Sequence, residues 1–164
     1  MIIDVSQIIK NNGAVKTVNG EIAVNDFEFN GQKLHFVTPF CVKGELKNIE
    51  GVLYLTANVS VKFITQCSRC LEPVNEEMQF KVEEHYAKSE QNGDDDVVII
   101  DLNEIDMKEA VEKSFCSNLP INYLCSNDCK GLCPICGCNL NNEVCDCKED
   151  YTDPRLAVLK NFLK

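Results

Sequence analysis

Residues 52–66 read VLYLTANVSVKFITQ, and CSRC follows directly at 67–70. Leu53, Leu55, Ala57, Val59, Val61 and Phe63 occupy every second position, with Thr56, Asn58, Ser60 and Lys62 between them. A period of two places these sets on opposite faces of one strand, one dry and one wet. That pattern belongs to an antiparallel sheet packed on one side. The strand also carries a cysteine pair at its C-terminal end.

Upstream, Asn30-Gly31 is a strong two-residue hairpin signal. It links a strand over 21–29, where a parity change at Asp26 suggests a bulge, to a strand over 33–46. Pro39 interrupts the latter and puts that point at a sheet edge or bulge. Ile2, Val5 and Ile9 recur at helical spacing ahead of Asn11, Asn12 and Gly13, which predicts a short helix in 2–12. Downstream, Met78, Phe80 and Val82 alternate as another strand. Residues 89–96, SEQNGDDD, read as an acidic loop, and 97–100, VVII, as a short buried strand. Asp101 and Asp106 each precede a Glu by three residues, as in a capping box. Met107, Val111 and Phe115 form a helical stripe that should end before Pro120. Asp153-Pro154 opens a terminal helix with Leu156, Leu159, Phe162 and Leu163 on one side.

The fold class is therefore α+β. An antiparallel β-rich body, a twisted sheet or partial barrel, spans 1–124 with a helix near 104–118. A cysteine-rich metal knuckle spans 125–150, and a C-terminal helix spans 151–164.

Seven of the eleven cysteines lie in 125–147, CSNDCKGLCPICGCNLNNEVCDC, where Leu132, Ile135, Leu140 and Val144 are the only aliphatic residues. So little apolar surface cannot offset the entropy of ordering the segment. Thiolates around a metal can. Four short pairs stand out: Cys67-x-x-Cys70, Cys125-x3-Cys129, Cys133-x-x-Cys136 and Cys145-x-Cys147. Each lets one tight turn or extended step present two sulfurs to one ion. The pairs can be matched in three ways. The eight-residue loop from Cys136 to Cys145 favours Cys133, Cys136, Cys145 and Cys147 as one site. Cys67, Cys70, Cys125 and Cys129 then form a second site that stitches the tail to the long strand. Two structural zinc ions are expected, and iron remains an open alternative. Cys41 and Cys116 read as buried apolar thiols, and Cys138 as a spare thiol beside the knuckle or a competing ligand.

The net charge of −10 is concentrated. Residues 72–112 carry three Lys/Arg and fourteen Asp/Glu, whereas 1–71 and 113–164 are nearly balanced. Such a chain is poorly suited to holding nucleic acid by phosphate neutralisation alone. The acidic block reads either as a solubility feature or as a face for a basic protein. No run of eighteen apolar residues occurs, so no transmembrane helix is expected. The N-terminal stretch lacks the pattern of a signal peptide, and a cytoplasmic, reducing location follows as the default. No catalytic constellation is present: His35 and His85 sit in strand patterns, no glycine-rich phosphate loop occurs, and a four-thiolate zinc site leaves no open position. A thiol redox or metal-transfer role for the C-x-x-C pairs is the alternative function from another class.

The linked motifs CSRCLEPV (67–74), LPIN (119–122), CKGLCPICGCNLN (129–141), CDC (145–147) and DPRLAVLKNFL (153–163) resemble the YceD family, the large ribosomal RNA subunit accumulation proteins. The resemblance covers most of 33–163, and Cys138 departs from the family pattern. It implies a cytoplasmic, non-enzymatic factor of ribosome biogenesis needed for accumulation of 23S rRNA. It also implies a basic, zinc-ribbon protein of the large subunit as partner, or the rRNA, with no membrane and no small-molecule substrate. On that reading the knuckle and terminal helix form a recognition surface whose local positive charges are Lys130, Lys148, Arg155 and Lys160.

Overall fold

The computed structural model describes residues 1–88, 97–100 and 103–147. Its spine is the strand that dominates the sequence. We number the elements β1 (Ile2–Asp4), β2 (Val15–Ile22), β3 (Phe27–Phe29), β4 (Gln32–Phe36), β5 (Phe40–Ile49), β6 (Val52–Gln66), β7 (Pro73–Ala87), β8 (Val97–Ile99), β9 (Glu104–Asp106) and α1 (Met107–Asn118). Along one side of β6 runs β7, antiparallel from Leu53↔Tyr86 to Gln66↔Pro73. Along the other side run β5, paired up to Cys41↔Ser60, and then β4 at Phe36↔Phe63. The edges are β2 beside β5, β3 beside β4, and β8 parallel to β7. The seven strands do not close into a barrel. A separate two-stranded sheet joins β1 to β9.

The alternation in β6 sets the layers. All six apolar positions from Leu53 to Phe63 are at most 1 % exposed, while Thr56, Asn58 and Lys62 face water. The dry face is covered by α1. Asp106 caps this helix, its side chain accepting from Lys108 N–H at 3.0 Å, with Glu109 in the first turn. Met107, Val111 and Phe115 are fully buried. Phe115 is the hub of the core: its ring centroid lies 5.2–6.2 Å from those of Phe27, Phe36, Phe40, Phe63 and Phe80. Most of these pairs are tilted or edge-on, the arrangement favoured by the aromatic quadrupole. No helix among the described residues is long and apolar enough to cross a membrane.

Several local expectations are corrected. Residues 2–12 form no helix. Ile2–Asp4 pairs with β9, and the following residues form turns whose carbonyls at Ile8, Ile9 and Asn11 accept from one buried side chain. Asn48 Nδ2 donates to Ile8 O (2.7 Å), Ile9 O (3.1 Å) and Asn11 O (3.1 Å), and its Oδ1 accepts from Gly51 N–H at 2.9 Å. The strand expected over 21–29 is two strands. β2 begins at Val15 and stops at Ile22, because the Asp26 carboxylate turns to accept Phe36 N–H (2.9 Å) and to meet His35 Nδ1. The Asn30-Gly31 hairpin forms as expected, both residues having positive φ (51° and 77°). β8 is not buried throughout: Val98 and Ile99 are 44 % and 41 % exposed, and Ile100 is covered. Residues 104–106 are strand rather than helix, so the helix starts at Met107 under the Asp106 cap. Cys41 and Cys116 are half-buried rather than core thiols. The acidic loop over 89–96, the Asp101 cap and the terminal helix over 151–164 lie outside the described residues.

Candidate metal centres

The parity of β6 decides where its first cysteine points. Counting on from Phe63, Thr65 (2 % exposed) and Cys67 (0 %) continue the dry face. The strand then turns. Cys67 N–H donates to Glu72 O at 2.8 Å and Leu71 N–H to Cys67 O at 3.0 Å, with Leu71 at φ 63°. This brings Cys70 back toward Cys67 at the head of the β6–β7 hairpin. The incoming tail is docked there by Ser68, whose N–H donates to Tyr123 O (2.8 Å) and whose Oγ accepts from Tyr123 N–H (3.2 Å). Cys125 and Cys129 therefore arrive opposite the hairpin pair.

The four sulfurs of Cys67, Cys70, Cys125 and Cys129 lie within 4.8 Å of one another, with Cys67–Cys129 at 3.8 Å and Cys70–Cys125 at 3.5 Å. Val74, Leu124 and Leu132 pack around them as a small apolar cluster. Beyond the sulfurs, Arg69 Nη1 donates to Cys129 O (2.9 Å), Arg69 O accepts Leu132 N–H (3.1 Å), and Asn141 Nδ2 donates to Cys129 Sγ (3.3 Å). Such outer contacts orient ligands and neutralise thiolate charge.

Cys133, Cys136, Cys145 and Cys147 form the second group, again within 4.8 Å, with Cys145 at 3.5 Å from both Cys133 and Cys136. The CPICG turn closes through Gly137 N–H to Cys133 O (2.9 Å), and Gly137 takes φ 76° as the motif requires. Ile135 N–H points at Cys133 Sγ (3.4 Å) and Cys147 N–H at Cys145 Sγ (3.3 Å). This group sits nearer solvent: Cys136 and Cys147 are exposed and Cys133 is buried. Its connection to the first runs through the Leu132–Asn139 bridge, Leu140 N–H to Gly131 O (2.9 Å), and Asn139 Nδ2 to Glu72 Oε1 (3.3 Å).

The donor chemistry suits a cation. Burial pushes the Cys67 thiol up, but the N–H groups of Cys70, Arg69 and Cys125 outweigh it and bring it to about 6. Cys136 is likewise lowered to about 6, chiefly by Cys138 N–H. Cys70, despite the N–H of Glu72, is pushed up to about 12 by burial and its neighbouring thiols. Hydrogen bonding to its neighbours pushes Cys147 to about 12 as well. Four thiols this close cannot all ionise together, since each thiolate repels the next. A divalent ion at the centre removes that repulsion, so each group could hold one metal ion. All eleven cysteines are free thiols.

Of the other candidates, Lys130 is exposed beside the first group, its N–H donating to Asn141 Oδ1 at 2.8 Å. Lys148, Arg155 and Lys160 lie outside the described residues. Cys138 is half-buried and neighbours the Cys136 and Cys145 thiols. Sequence reasoning missed Arg69 and Asn141 as supports of the first group. An asparagine inside a cysteine loop is the only signal that pointed there. His85 packs against Tyr54, ring centroids 4.5 Å apart, on the sheet's outer face.

Fold and site together define a class: an open, mostly antiparallel sheet whose central hairpin and C-terminal tail carry two four-cysteine groups that could hold metal. The family model described as "Large ribosomal RNA subunit accumulation protein YceD" matches residues 55–163, and the chain belongs to that family. It is 33 % identical over 119 residues to uncharacterized proteins of Mycobacterium tuberculosis and Mycobacterium bovis, matching 70 % of this chain and 56 % of each relative. The chain thus spans about half the length of these curated relatives. It is also 32 % identical over 62 residues, 38 % of this chain and 19 % of the other, to "Large ribosomal RNA subunit accumulation protein YCED homolog 1, chloroplastic" of Arabidopsis thaliana. No solved structure matches it.

Proposed function

We propose that this chain is a non-enzymatic factor of large-subunit ribosome biogenesis. It supports accumulation of 23S rRNA by binding a basic ribosomal protein in the cytoplasm. Membership of the YceD family is the observation that carries this reading. Charge favours a protein partner over bare RNA: net −11 over residues 72–112 steers and holds a basic protein and repels phosphate.

In this reading the two cysteine groups hold structural zinc. Zinc–sulfur bonds of about 2.3 Å in a tetrahedron put sulfurs about 3.8 Å apart. The contacts of 3.5–3.8 Å in both groups suit that edge length. Cys67, Cys70, Cys125 and Cys129 are the ligands of one ion, and Cys133, Cys136, Cys145 and Cys147 those of the other. Lys130 stands beside the first ion, and the second stiffens the knuckle that leads into Lys148, Arg155 and Lys160.

The test is crosslinking of the protein in growing cells, followed by identification of bound protein and bound RNA. Recovery of a basic large-subunit protein is expected, with 23S rRNA either beside it or in its place as the direct partner. Recovery of neither, together with metal-free protein whose Cys67 and Cys70 cycle reversibly between dithiol and disulfide, would replace the assembly role with a thiol redox one.

A further inference from the structure

We propose that Cys138 is a fifth ligand of the second cysteine group, exchanging with Cys147 for one corner of the metal site. This rests on the reading that Cys133, Cys136, Cys145 and Cys147 hold a zinc ion. It gives a role to the thiol which that reading leaves over, and it lets the ion stay bound when the chain beyond Cys147 is drawn away.

Five thiols gather here, and a tetrahedral ion takes four. Cys136 and Cys145, their sulfurs 3.5 Å apart, form one edge of the group, and Cys133 meets Cys145 at 3.5 Å. Cys147 Sγ is a hydrogen-bonding neighbour of both Cys136 and Cys145. So is Cys138 Sγ. Two thiols therefore flank the same edge, and three corners have two candidates for the fourth. Cys147 completes the set whose sulfurs all lie within 4.8 Å of one another. A turn of the Cys138 side chain toward the edge it already touches would put its sulfur in the place of Cys147.

The backbone holds the two candidates differently. Cys138 is part of the closed turn: its carbonyl accepts Cys133 N–H at 2.8 Å, its N–H donates to Cys136 Sγ, and the next residue bridges to Leu132. Its side chain is half-buried. Cys147 is exposed, with its N–H 3.3 Å from Cys145 Sγ. Among the described residues no backbone–backbone hydrogen bond holds 144–147, and Val144, 96 % exposed, gives that stretch no apolar anchor. Cys147 is thus the ligand most easily lost, and Cys138 is the replacement already beside the site. In the exchange the Cys147–zinc bond breaks as a Cys138–zinc bond forms, and the Cys138 thiol proton passes to the departing Cys147 thiolate. The charge of the site is unchanged and no oxidant takes part. Zinc has no d-electron preference for one geometry, so a passing fifth sulfur meets no penalty of that kind. The chain after Cys147, with Lys148, Arg155 and Lys160, can then follow a partner while the knuckle keeps its ion.

The experiment measures bound zinc in the full chain and in four variants: Cys138→Ser, Cys147→Ser, the Cys138→Ser/Cys147→Ser double variant, and Cys136→Ser as the reference for loss of the second ion. Each is dialysed against a competing chelator, and amide exchange is read over 133–147. We expect about two zinc ions per chain in the wild type and in Cys138→Ser and Cys147→Ser, and about one in the double variant and in Cys136→Ser. Chelator competition should show the double variant holding its second ion at least about tenfold more weakly than either single variant. Residues 133–140 should keep their protection in Cys147→Ser, because the knuckle stays closed around the ion. Loss of the second ion in Cys147→Ser alone, its loss in Cys138→Ser alone, or its retention in the double variant would each overturn the exchange. In those cases the wild type still binds two ions, and the zinc reading stands. If the wild type binds fewer than two and Cys136→Ser binds no fewer, the zinc reading of the second group falls and takes the exchange with it.

Discussion

Replacing Cys67 by serine tests whether the tail is held to the sheet by a metal. Without an ion, four hydrogen bonds tie residues 119–133 to the hairpin: Ser68 N–H to Tyr123 O, Tyr123 N–H to Ser68 Oγ, Leu132 N–H to Arg69 O, and Arg69 Nη1 to Cys129 O. At about 1 kcal/mol each, they sum to about 4 kcal/mol. Holding the nine residues Cys125–Cys133 in one conformation costs ~9–18 kcal/mol of backbone entropy. The apolar neighbours Leu124, Leu132 and Val74 are too few to make up the difference. A structural zinc contributes about 10 kcal/mol or more, which closes the gap. Serine keeps the size of the side chain but is a poor ligand, so the first ion should be lost. Bound zinc should fall from about two to about one per chain, and amide protection over 125–129 should drop to within about tenfold of an unstructured chain. Residues 137–147 should keep most of their protection, because their four thiols lie within 133–147. Hydrogen exchange by mass spectrometry reads both segments together. Unchanged protection at 125–129, or equal loosening of 137–147, would refute the stitching.

Asn48→Ala should destabilise the chain by about 3 kcal/mol, since it removes four hydrogen bonds and leaves Ile9 O and Gly51 N–H without their partner; urea unfolding measures this, and residues 5–12 should lose protection first. Phe115→Ala removes the hub of five aromatic contacts and should cost ~3–5 kcal/mol, seen as a lower urea midpoint with an unchanged slope. Lys108 N–H holds the Asp106 carboxyl below its ordinary 3.8. Its folded pKa is depressed, so its stabilisation is present above 3.8 and is lost as pH falls through the folded value; NMR titration of the carboxyl should show the first turn of α1 loosening only there. Gly131 has φ 77°, and an added Cβ would lie 3.2 Å from Arg69 O, so Gly131→Ala should strain the link between the two cysteine groups by ~1–2 kcal/mol and raise exchange at Leu132 and Leu140.

How much of this was legible in the sequence depends on the range of each interaction. β6 was legible to its ends because a half-buried strand writes its environment into every second residue. The helix was legible through the Met107–Val111–Phe115 stripe, and its start through a local cap, although Asp101 offered a second candidate that sequence could not reject. The spatial grouping of the cysteines followed from loop length, since a short loop is the cheapest to close. The N-terminal segment was not legible. Ile2, Val5 and Ile9 carry a helical period, but the partner that replaces helix hydrogen bonds is Asn48, 37–40 residues away. Likewise β2 has only Val18 and Ile22 buried, a spacing of four that conceals a strand.

The order of attachment along the tail gives the two cysteine groups different roles. The first is an extension of the core. Its Cys67 is on the buried face of β6, its Cys70 closes the hairpin, and three of its four thiols are buried. The second has no core of its own and, among the described residues, reaches the body through residues 129–133, the Leu132–Asn139 bridge, the Asn141 contacts to Lys130 and Cys129, and the Asn139–Glu72 contact. A rigid base with a smaller, more exposed knuckle beyond it is the geometry of a part that presents a surface rather than one that encloses a substrate.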